Sequence, residues 1–177
     1  MMLFSPDGTQ LATTGWGDKS IHLWDAATGE SLGDLTAHAT GMESIDWSAD
    51  GRFLVSSDRN NGGELIVWNV AEQKALTQLI TPQMRDKFGR CDFCKFSPDG
   101  RLIVARVKLG VIHFWNAATF KPLGTMQVNA EHINTACSNL FFTADGRHIV
   151  TANANGTLSV LRIPATILAG GSDSITR

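Results

Sequence analysis

Two groups of residues in this sequence have types and spacings that could do chemistry. Cys91-Asp92-Phe93-Cys94 is a CxxC motif, a spacing used by redox-active cysteines and by zinc sites. Several aspartates recur in similar surroundings and could serve as catalytic carboxylates; they are Asp7, Asp50, Asp99 and Asp145. Whether either group can do this chemistry depends on where the strands and turns of the chain place it.

The four aspartates occupy the same place in a repeated turn. The turn reads FSPDG, WSADG, FSPDG and FTADG, and its glycines are 43, 49 and 46 residues apart; they are Gly8, Gly51, Gly100 and Gly146. Proline presets φ, aspartate caps the turn through its side chain, and glycine takes the positive φ that ends it. A residue found in every repeat serves the repeat, so we predict a structural role for these acids.

A second segment recurs after each turn and carries a large apolar residue 15 to 17 residues after the turn glycine. It reads IHLWD, LIVWN, VIHFWN and LSVLR, with β-branched residues or alternation typical of strands. A period of roughly 40–45 residues that holds several short strands is typical of a propeller blade. We therefore predict an all-β chain of about four blades, with strand pairs near 11–15 with 20–24, 53–57 with 65–69, 102–106 with 111–115, and 148–152 with 158–162.

These repeats resemble those of the WD-repeat β-propeller family over roughly residues 3–163. His38 lies nine residues before Trp47, and Asp18 lies six residues before Trp24, as in the family's pattern. The resemblance implies blades of four antiparallel strands, a to d, around a central channel. We place the blades at about 1–37, 38–80, 81–127 and 128–163, followed by a tail over 164–177.

The resemblance also implies a buried structural network in each blade. Its members here are Asp18, Trp24, His38, Trp68 and Trp115, joined by Thr13 or Thr14 in blade one and by Ser56 or Ser57 in blade two. The pattern is incomplete: Gly62 stands where blade two should carry its aspartate, and Leu161 replaces the tryptophan of blade four.

The cysteines are predicted to be core residues. Cys91 and Cys94 align with Met42 and Ile45 of blade two, and Cys137 takes the place of Cys91 in the next blade. No second CxxC and no suitably spaced histidine pair completes a metal site. No phosphate loop and no serine, histidine and acid combination stands out, so we expect neither metal, cofactor nor catalytic residue.

The end of the blades formed by the d–a and b–c loops is the predicted partner-binding surface. The a–b turns are nearly identical, whereas the opposite loops diverge, and variable loops on a rigid scaffold commonly carry binding. Tryptophan and arginine are frequent binding hot spots. The candidate residues are Trp16, Arg59, Asn60, Arg90, Asp92 and Lys108. Two alternatives stay open: Trp16 packs between blades, or the charges over 85–92 form an ordinary solvated loop.

Composition limits the partners. The net charge of −2 and pI near 6.2 predict no attraction to nucleic acid or to an anionic membrane surface, and no apolar run approaches the ~20 residues of a membrane span. The first residues do not resemble a secretory signal, and three cysteines do not suggest a disulfide framework. A reducing compartment such as the cytoplasm is favoured.

The predicted function is a non-enzymatic protein–protein interaction scaffold, as the resemblance implies. The alternative is a non-catalytic sensory or docking module of a larger enzyme, such as a signalling kinase or hydrolase. A longer reading frame upstream of Met1 would separate the two. A small-molecule pocket in the channel is a third option.

Four blades also predict an open arc, because propellers of this family close with about seven. The chain is then part of a larger propeller, or copies associate through open blade edges. The apolar residues expected to be exposed are Leu3, Phe4, Leu11 and Ile21 at one end, and Ile149, Leu158, Val160 and Leu161 at the other.

Overall fold

The structure is a computed structural model that describes residues 1–15, 17–38, 40–58, 63–80, 91–107, 110–128, 140–152 and 157–170, with Asp92 described by its backbone alone. Its strands form four antiparallel sheets, each in chain order. The first sheet holds β1 Met2–Phe4, β2 Gln10–Thr13, β3 Ser20–Asp25 and β4 Ser31–Thr36. The second holds β5 Met42–Trp47, β6 Phe53–Asp58, β7 Leu65–Asn69 and β8 Lys74–Gln78. The third holds β9 Cys91–Phe96, β10 Leu102–Val107, β11 Val111–Asn116 and β12 Pro122–Gln127. The fourth holds three strands in the described residues, β13 Leu140–Phe142, β14 His148–Ala152 and β15 Leu158–Arg162.

The predicted fold class, an all-β propeller arrangement of about four blades, is confirmed. All four predicted b–c pairs form, with registers that include Leu11 opposite Trp24 and Leu54 opposite Trp68. In the first three sheets the pairing of strands c and d shifts directly before the tryptophan, at Trp24, Trp68 and Trp115. The first three blades therefore share this irregularity in strand pairing as well as their regular strand order.

One hydrogen-bonding pattern closes every a–b turn. In the first blade the Ser5 hydroxyl donates to Asp7 Oδ1 at 2.6 Å, Thr9 N donates to the same oxygen, and Gln10 N donates to Ser5 Oγ at 2.9 Å. The other three turns repeat it at equivalent positions. The hydroxyl two residues before the aspartate holds the pKa of Asp7, Asp50 and Asp145 below the usual range. These carboxylates act as turn acceptors, as predicted from their repetition.

The core lies between the sheets in three apolar layers. The first layer joins the first and second sheets, with Leu23 and Trp68 among its members. The second joins the second and third sheets through residues such as Val67 and Trp115. The third joins the third and fourth sheets through residues such as Phe114 and Ile149. Consecutive sheets therefore stack face to face.

Polar contacts tie the first strands of the second and third sheets together. Phe96 N donates to Asp46 Oδ2 at 2.8 Å, and Lys95 Nζ lies 3.3 Å from Asp46 Oδ1. The Ser44 hydroxyl donates to the Cys94 carbonyl oxygen at 3.2 Å. Burial raises the pKa of Asp46, although Lys95 opposes the shift. These bonds fix the alignment of β9 along β5.

The two outermost sheet faces expose apolar side chains, but the set expected to be exposed was only partly right. Leu3 and Leu161 are partly buried against the first and third apolar layers. Ile21 and Ile149 are fully buried because they face the neighbouring sheet. Alternation along a strand places every second residue on the opposite face, so Met2 and Phe4 are exposed at one end. Phe141, Leu158 and Val160 are exposed at the other end.

No helix was expected in this part of the chain, but α1 forms over Ala165–Leu168. Burial of Ile167 and packing of Leu168 against the third apolar layer hold this single turn in place. In the part of the chain that the structure describes, no helix is long and apolar enough to cross a membrane.

Both described cysteines lie in β9 with no exposed surface. The Cys94 thiol donates to the Ser44 carbonyl oxygen at 3.6 Å. Complete burial raises the pKa of Cys94 to about 12. Cys137 lies outside the described residues.

We therefore predict that Cys91 and Cys94 resist alkylation in the folded protein, because both thiols are fully buried from the reagent and the raised pKa of Cys94 leaves it almost no thiolate at neutral pH. Iodoacetamide labelling followed by peptide mass spectrometry checks this. Both sites should stay unlabelled in native buffer and react fully in guanidinium chloride. Rapid native labelling of either residue would contradict the assignment.

Candidate functional site

The residues proposed for partner binding fall largely outside the described part of the structure. Those not described are Trp16, Arg59, Asn60, Arg90 and Lys108, and of Asp92 only the backbone in β9 is described. The described residues do include the strand ends that flank these loops. The strand ends of blade two carry one cluster of titratable groups, formed by His38, Asp58 and Glu64.

A buried hydrogen-bonded chain runs through blade two. Trp68 Nε1 donates to Ser56 Oγ at 2.7 Å, and His38 Nε2 lies 2.6 Å from the same oxygen. Strand pairing explains the approach, because Ser56 in β6 lies diagonally from Trp68 in β7. All three side chains are buried, and the His38 and Trp68 rings are 5.9 Å apart. Of the two serines left open by the sequence, Ser56 makes these contacts.

Two carboxylates lie beside this chain. Asp58 ends β6, where its Oδ2 accepts the Thr40 hydroxyl at 2.9 Å and its Oδ1 accepts Glu64 N at 2.8 Å. Glu64 Oε2 lies 3.5 Å from His38 Nδ1. Sequence reasoning missed both acids, because it looked for one aspartate at position 62. The sequence feature that could have identified them is a carboxylate at each end of the b–c loop, at Asp58 and Glu64.

Burial dominates the electrostatics of this cluster. Desolvation lowers the pKa of His38, although Asp58 and Glu64 act in the opposite direction. His38 is therefore neutral at neutral pH, with Nε2 directed at Ser56 and Nδ1 directed at the carboxylates.

Blade one uses the same residue types differently. Trp24 Nε1 donates to Thr13 Oγ1 at 2.8 Å, whereas Asp18 accepts Ser20 N and contacts His22 Nε2 at 2.8 Å. Asp34 holds the other ring nitrogen of His22 at 2.6 Å. The hydrogen bonds to Asp34 and then Asp18 raise the pKa of His22. Asp18 and Trp24 are thus not in one hydrogen-bonded chain.

In blade three Trp115 is buried and the His113 ring stacks on it at 5.7 Å. Desolvation lowers the pKa of His113 to about 4, so this ring is neutral at physiological pH. The five predicted network residues therefore lie in three blades, and among them the structure joins only His38 and Trp68 in one hydrogen-bonded chain, through Ser56.

The loop ends of blades one and two approach closely. A Cβ added to Gly41 would lie 2.8 Å from the Gly17 Cα, closer than such contacts occur. Glycine at position 41 is therefore required for this approach. The b–c loop of blade one and the d–a connection into blade two are held as one surface.

Two clefts lie at the opposite end of the blades and were not anticipated. One, of about 470 Å³, lies between blades two and three and includes Phe53, Phe120 and Arg52 in its lining. The other, of about 490 Å³, lies beside α1 and is lined by Arg101, Arg147 and Arg162 with apolar neighbours. The turn end is therefore less uniform than its repeated sequence suggests.

Stacked four-stranded sheets, a repeated turn and buried tryptophans define a class of protein, the β-propeller. A solved structure of Kuenenia stuttgartiensis hydrazine synthase shares this fold with a TM-score of 0.74, 16% identity, and coverage of 96% of this chain and 46% of that one. Residues 2–25 and 29–69 match the model described as WD domain, G-beta repeat. WD repeats are thus present in the first two blades, and the family of proteins that carry them is the one this chain resembles.

Two relatives illustrate the extent of the similarity. WD repeat-containing protein 1 of Xenopus tropicalis is 40% identical over 77 residues, which cover 42% of this chain and 12% of the relative. A ciliary WD repeat-containing protein of Euplotoides octocarinatus is 28% identical over 182 residues, covering 99% of this chain and 22% of the relative. The chain thus spans about an eighth to a fifth of these relatives. Proteins of this family are generally non-catalytic interaction scaffolds.

We predict that Ser56→Ala lowers the free energy of unfolding by about 1–3 kcal/mol, because it leaves the buried Trp68 N–H without its acceptor. Ser57→Ala is the matched control. Ser57 is equally buried, but its hydroxyl makes no hydrogen bond within the described residues and lies near only a weak partner, the Cys94 thiol. Urea denaturation of both variants checks the difference. Equal losses would show that the chain through Ser56 does not stabilise the blade.

Proposed function

We propose that this chain is a protein-interaction scaffold whose partner surface is the loop end of the blades, formed by the d–a and b–c loops. The residues proposed to contact the partner are Trp16, Arg59, Asn60, Arg90, Asp92 and Lys108. The family's general role supports the first part of this proposal. The choice of face rests on the sequence divergence of these loops and on how their stems are held.

The observation that carries the choice of face is the fixation of the loop stems. In blade two, two hydrogen bonds join Asp58 and Glu64 across the base of the b–c loop. Asp58 N donates to the Glu64 carbonyl oxygen at 3.1 Å, and Glu64 N donates to the Asp58 side chain at Oδ1. In blade one Asp18 accepts Ser20 N at 3.0 Å. Loops leaving such stems begin and end at fixed points, which reduces the entropy lost on binding.

Trp16→Ala combined with Arg90→Ala should weaken partner capture at least tenfold, because truncating two hot-spot side chains typically costs more than about 1.4 kcal/mol. The measurement is affinity capture from cell extract with the wild-type chain, followed by quantitative mass spectrometry of each partner in the variant.

The matched control is Arg52→Ala combined with Arg101→Ala. Both arginines are exposed at the turn end, so the control removes two large side chains from the opposite face. Circular dichroism should show that both variants fold. If the loop variant captured every partner as the wild type does, or the control lost them equally, this face would be rejected.

A second candidate is a docking module within a larger polypeptide, and the size of the relatives favours it. A human kinesin-like protein is 29% identical over 154 residues, which cover 80% of this chain but 8% of that protein. An antibody against this chain, used to detect the natural gene product, would distinguish a free-standing scaffold from a docking module. A product much larger than the 19.1 kDa of this chain would favour the docking module.

Self-association through the outer sheet faces is proposed as a further property. Phe141, Val150 and Val160 lie directly opposite one another across the fourth sheet, and Phe141 and Val160 are exposed. Met2 and Phe4 are exposed on the outer face of the first sheet. Equivalent faces of the second and third sheets are buried against neighbours, so we propose that two copies associate head to tail through these faces.

Val160→Lys and Phe4→Lys should each weaken association by roughly tenfold or more, because either one places a charge in the same apolar contact. Sedimentation velocity over a concentration series checks this, with Leu76→Lys on the outer strand of the second sheet as the control. A wild-type chain that stays monomeric throughout the series would refute self-association.

A further inference from the structure

Blade four departs from the repeat at the turn end, at the residue that begins the c–d turn. The first three blades carry an acid or an amide there, whose side-chain oxygen accepts backbone N–H groups of the turn; these residues are Asp25, Asn69 and Asn116. Blade four carries Arg162, whose guanidinium has no acceptor atom. The chain continues from there into α1 instead of a c–d turn.

A second arginine at this end also differs from its counterparts. In blades two and three the residue after the turn glycine is an arginine paired with the aspartate of its own turn, with Nε–Oδ2 distances of 2.7 Å for Arg52 and 2.6 Å for Arg101. Arg147 holds this position in blade four, but it gives Asp145 only its backbone N–H, at 3.0 Å. The Thr143 hydroxyl is the main cause of the lowered pKa of Asp145, and the Arg147 charge is the smallest. The Arg147 guanidinium is therefore available to a ligand.

Arg147 and Arg162 both line the cleft of about 490 Å³ beside α1. Their chain segments are adjacent there, because Ile163 N donates to the Arg147 carbonyl oxygen at 2.9 Å. Ile163 and α1 add apolar surface, and no acidic side chain among the described residues lines this cleft. The corresponding cleft between blades two and three contains both Asp50 and Asp99. Of the two clefts, the one beside α1 thus combines arginines released from the repeat with an apolar wall.

We propose that Arg147 and Arg162 form a docking site for an acidic peptide segment of a partner protein. Guanidinium groups bind carboxylates through paired, charge-assisted hydrogen bonds, and the apolar wall suits an apolar side chain placed between the acids. Arg101 also lines the cleft, but Asp99 already neutralises it, so the binding charge is assigned to the other two arginines. The site goes beyond the proposed loop surface, because it lies at the opposite end of the blades.

Charge and size select the kind of ligand. The chain has a net charge of −2, so the attraction is local to this cleft and does not extend to polyanions in general. A nucleic acid needs many phosphate contacts for affinity, whereas the cleft offers two released cations. A single small anion would leave the apolar wall uncovered, and a peptide with acidic and apolar side chains would cover both. Both arginines are exposed, so a peptide reaches them without displacing a neighbouring side chain.

The test is peptide binding by the full chain. An array of labelled peptides, in which two glutamates flank a leucine at varied spacing, identifies the best binder, and fluorescence anisotropy gives its affinity. We expect that peptide to bind at least roughly tenfold tighter than its matched forms with glutamine for glutamate or serine for leucine. Arg147→Glu combined with Arg162→Glu should weaken binding at least roughly tenfold, since repulsion replaces attraction.

Arg52→Glu combined with Lys74→Glu is the matched control, because it makes the same charge change on exposed residues at the turn end of blade two. This control should bind the peptide as the wild type does, and circular dichroism should show that both variants fold. Trp16→Ala combined with Arg90→Ala should also bind the peptide normally, which separates this site from the loop surface. The proposal would be overturned by a wild-type chain that binds no acidic peptide, by an equal loss in the matched control, or by tighter binding of inorganic phosphate or single-stranded DNA.

Discussion

The fold depends on one constraint, which is that the inner sheets are apolar on both faces. In the second sheet Leu54 and Trp68 face the first sheet, while Val55 and Val67 face the third. Neither face can be left in water without losing the hydrophobic stabilisation of its layer. Sheets of this kind must stack, and the hairpin connections then have no place except the two ends of the stack. The separation of the molecule into a buried body and two loop ends follows from this.

Strand positions could be predicted because the turn chemistry is local. An Asp-Gly pair with a hydroxyl two residues earlier closes the same hairpin wherever it occurs, as at Asp7 and Asp99. The sheet that covers each strand face could be predicted less well than the strand positions. Alternation shows that Ile21 and Leu23 share a face, but it does not show which neighbour covers that face. Helix α1 was missed for a related reason: its four residues are too few to show a periodicity, and it is held by packing of Ile167 and Leu168 against the third apolar layer.

The candidate site was predictable only where it follows the repeat. The approach of Ser56 to Trp68 follows from pairing of adjacent strands, so the sequence could narrow the choice to two serines. Asp58 and Glu64 could not be found in that way, since they replace an acid expected at another position. Their proximity to His38 requires the hairpin and the preceding connection to be folded together. The divergent loops do not follow the repeat, so their conformations could not be predicted from it. Only the positions of the flanking strand ends could.

Each of the first three blades must accommodate a buried or half-buried tryptophan, and these blades meet the requirement differently. Trp24 uses a threonine, Trp68 uses a serine backed by His38, and the Trp115 ring stacks on His113. The a–b turns show no such variety, because their hydrogen bonds are the same in all four repeats. Among the first three blades, differences in polar chemistry therefore accumulate at the loop end, where they do not disturb the apolar layers. A repeat fold can in this way change what it binds while its stability stays in the parts that the blades share.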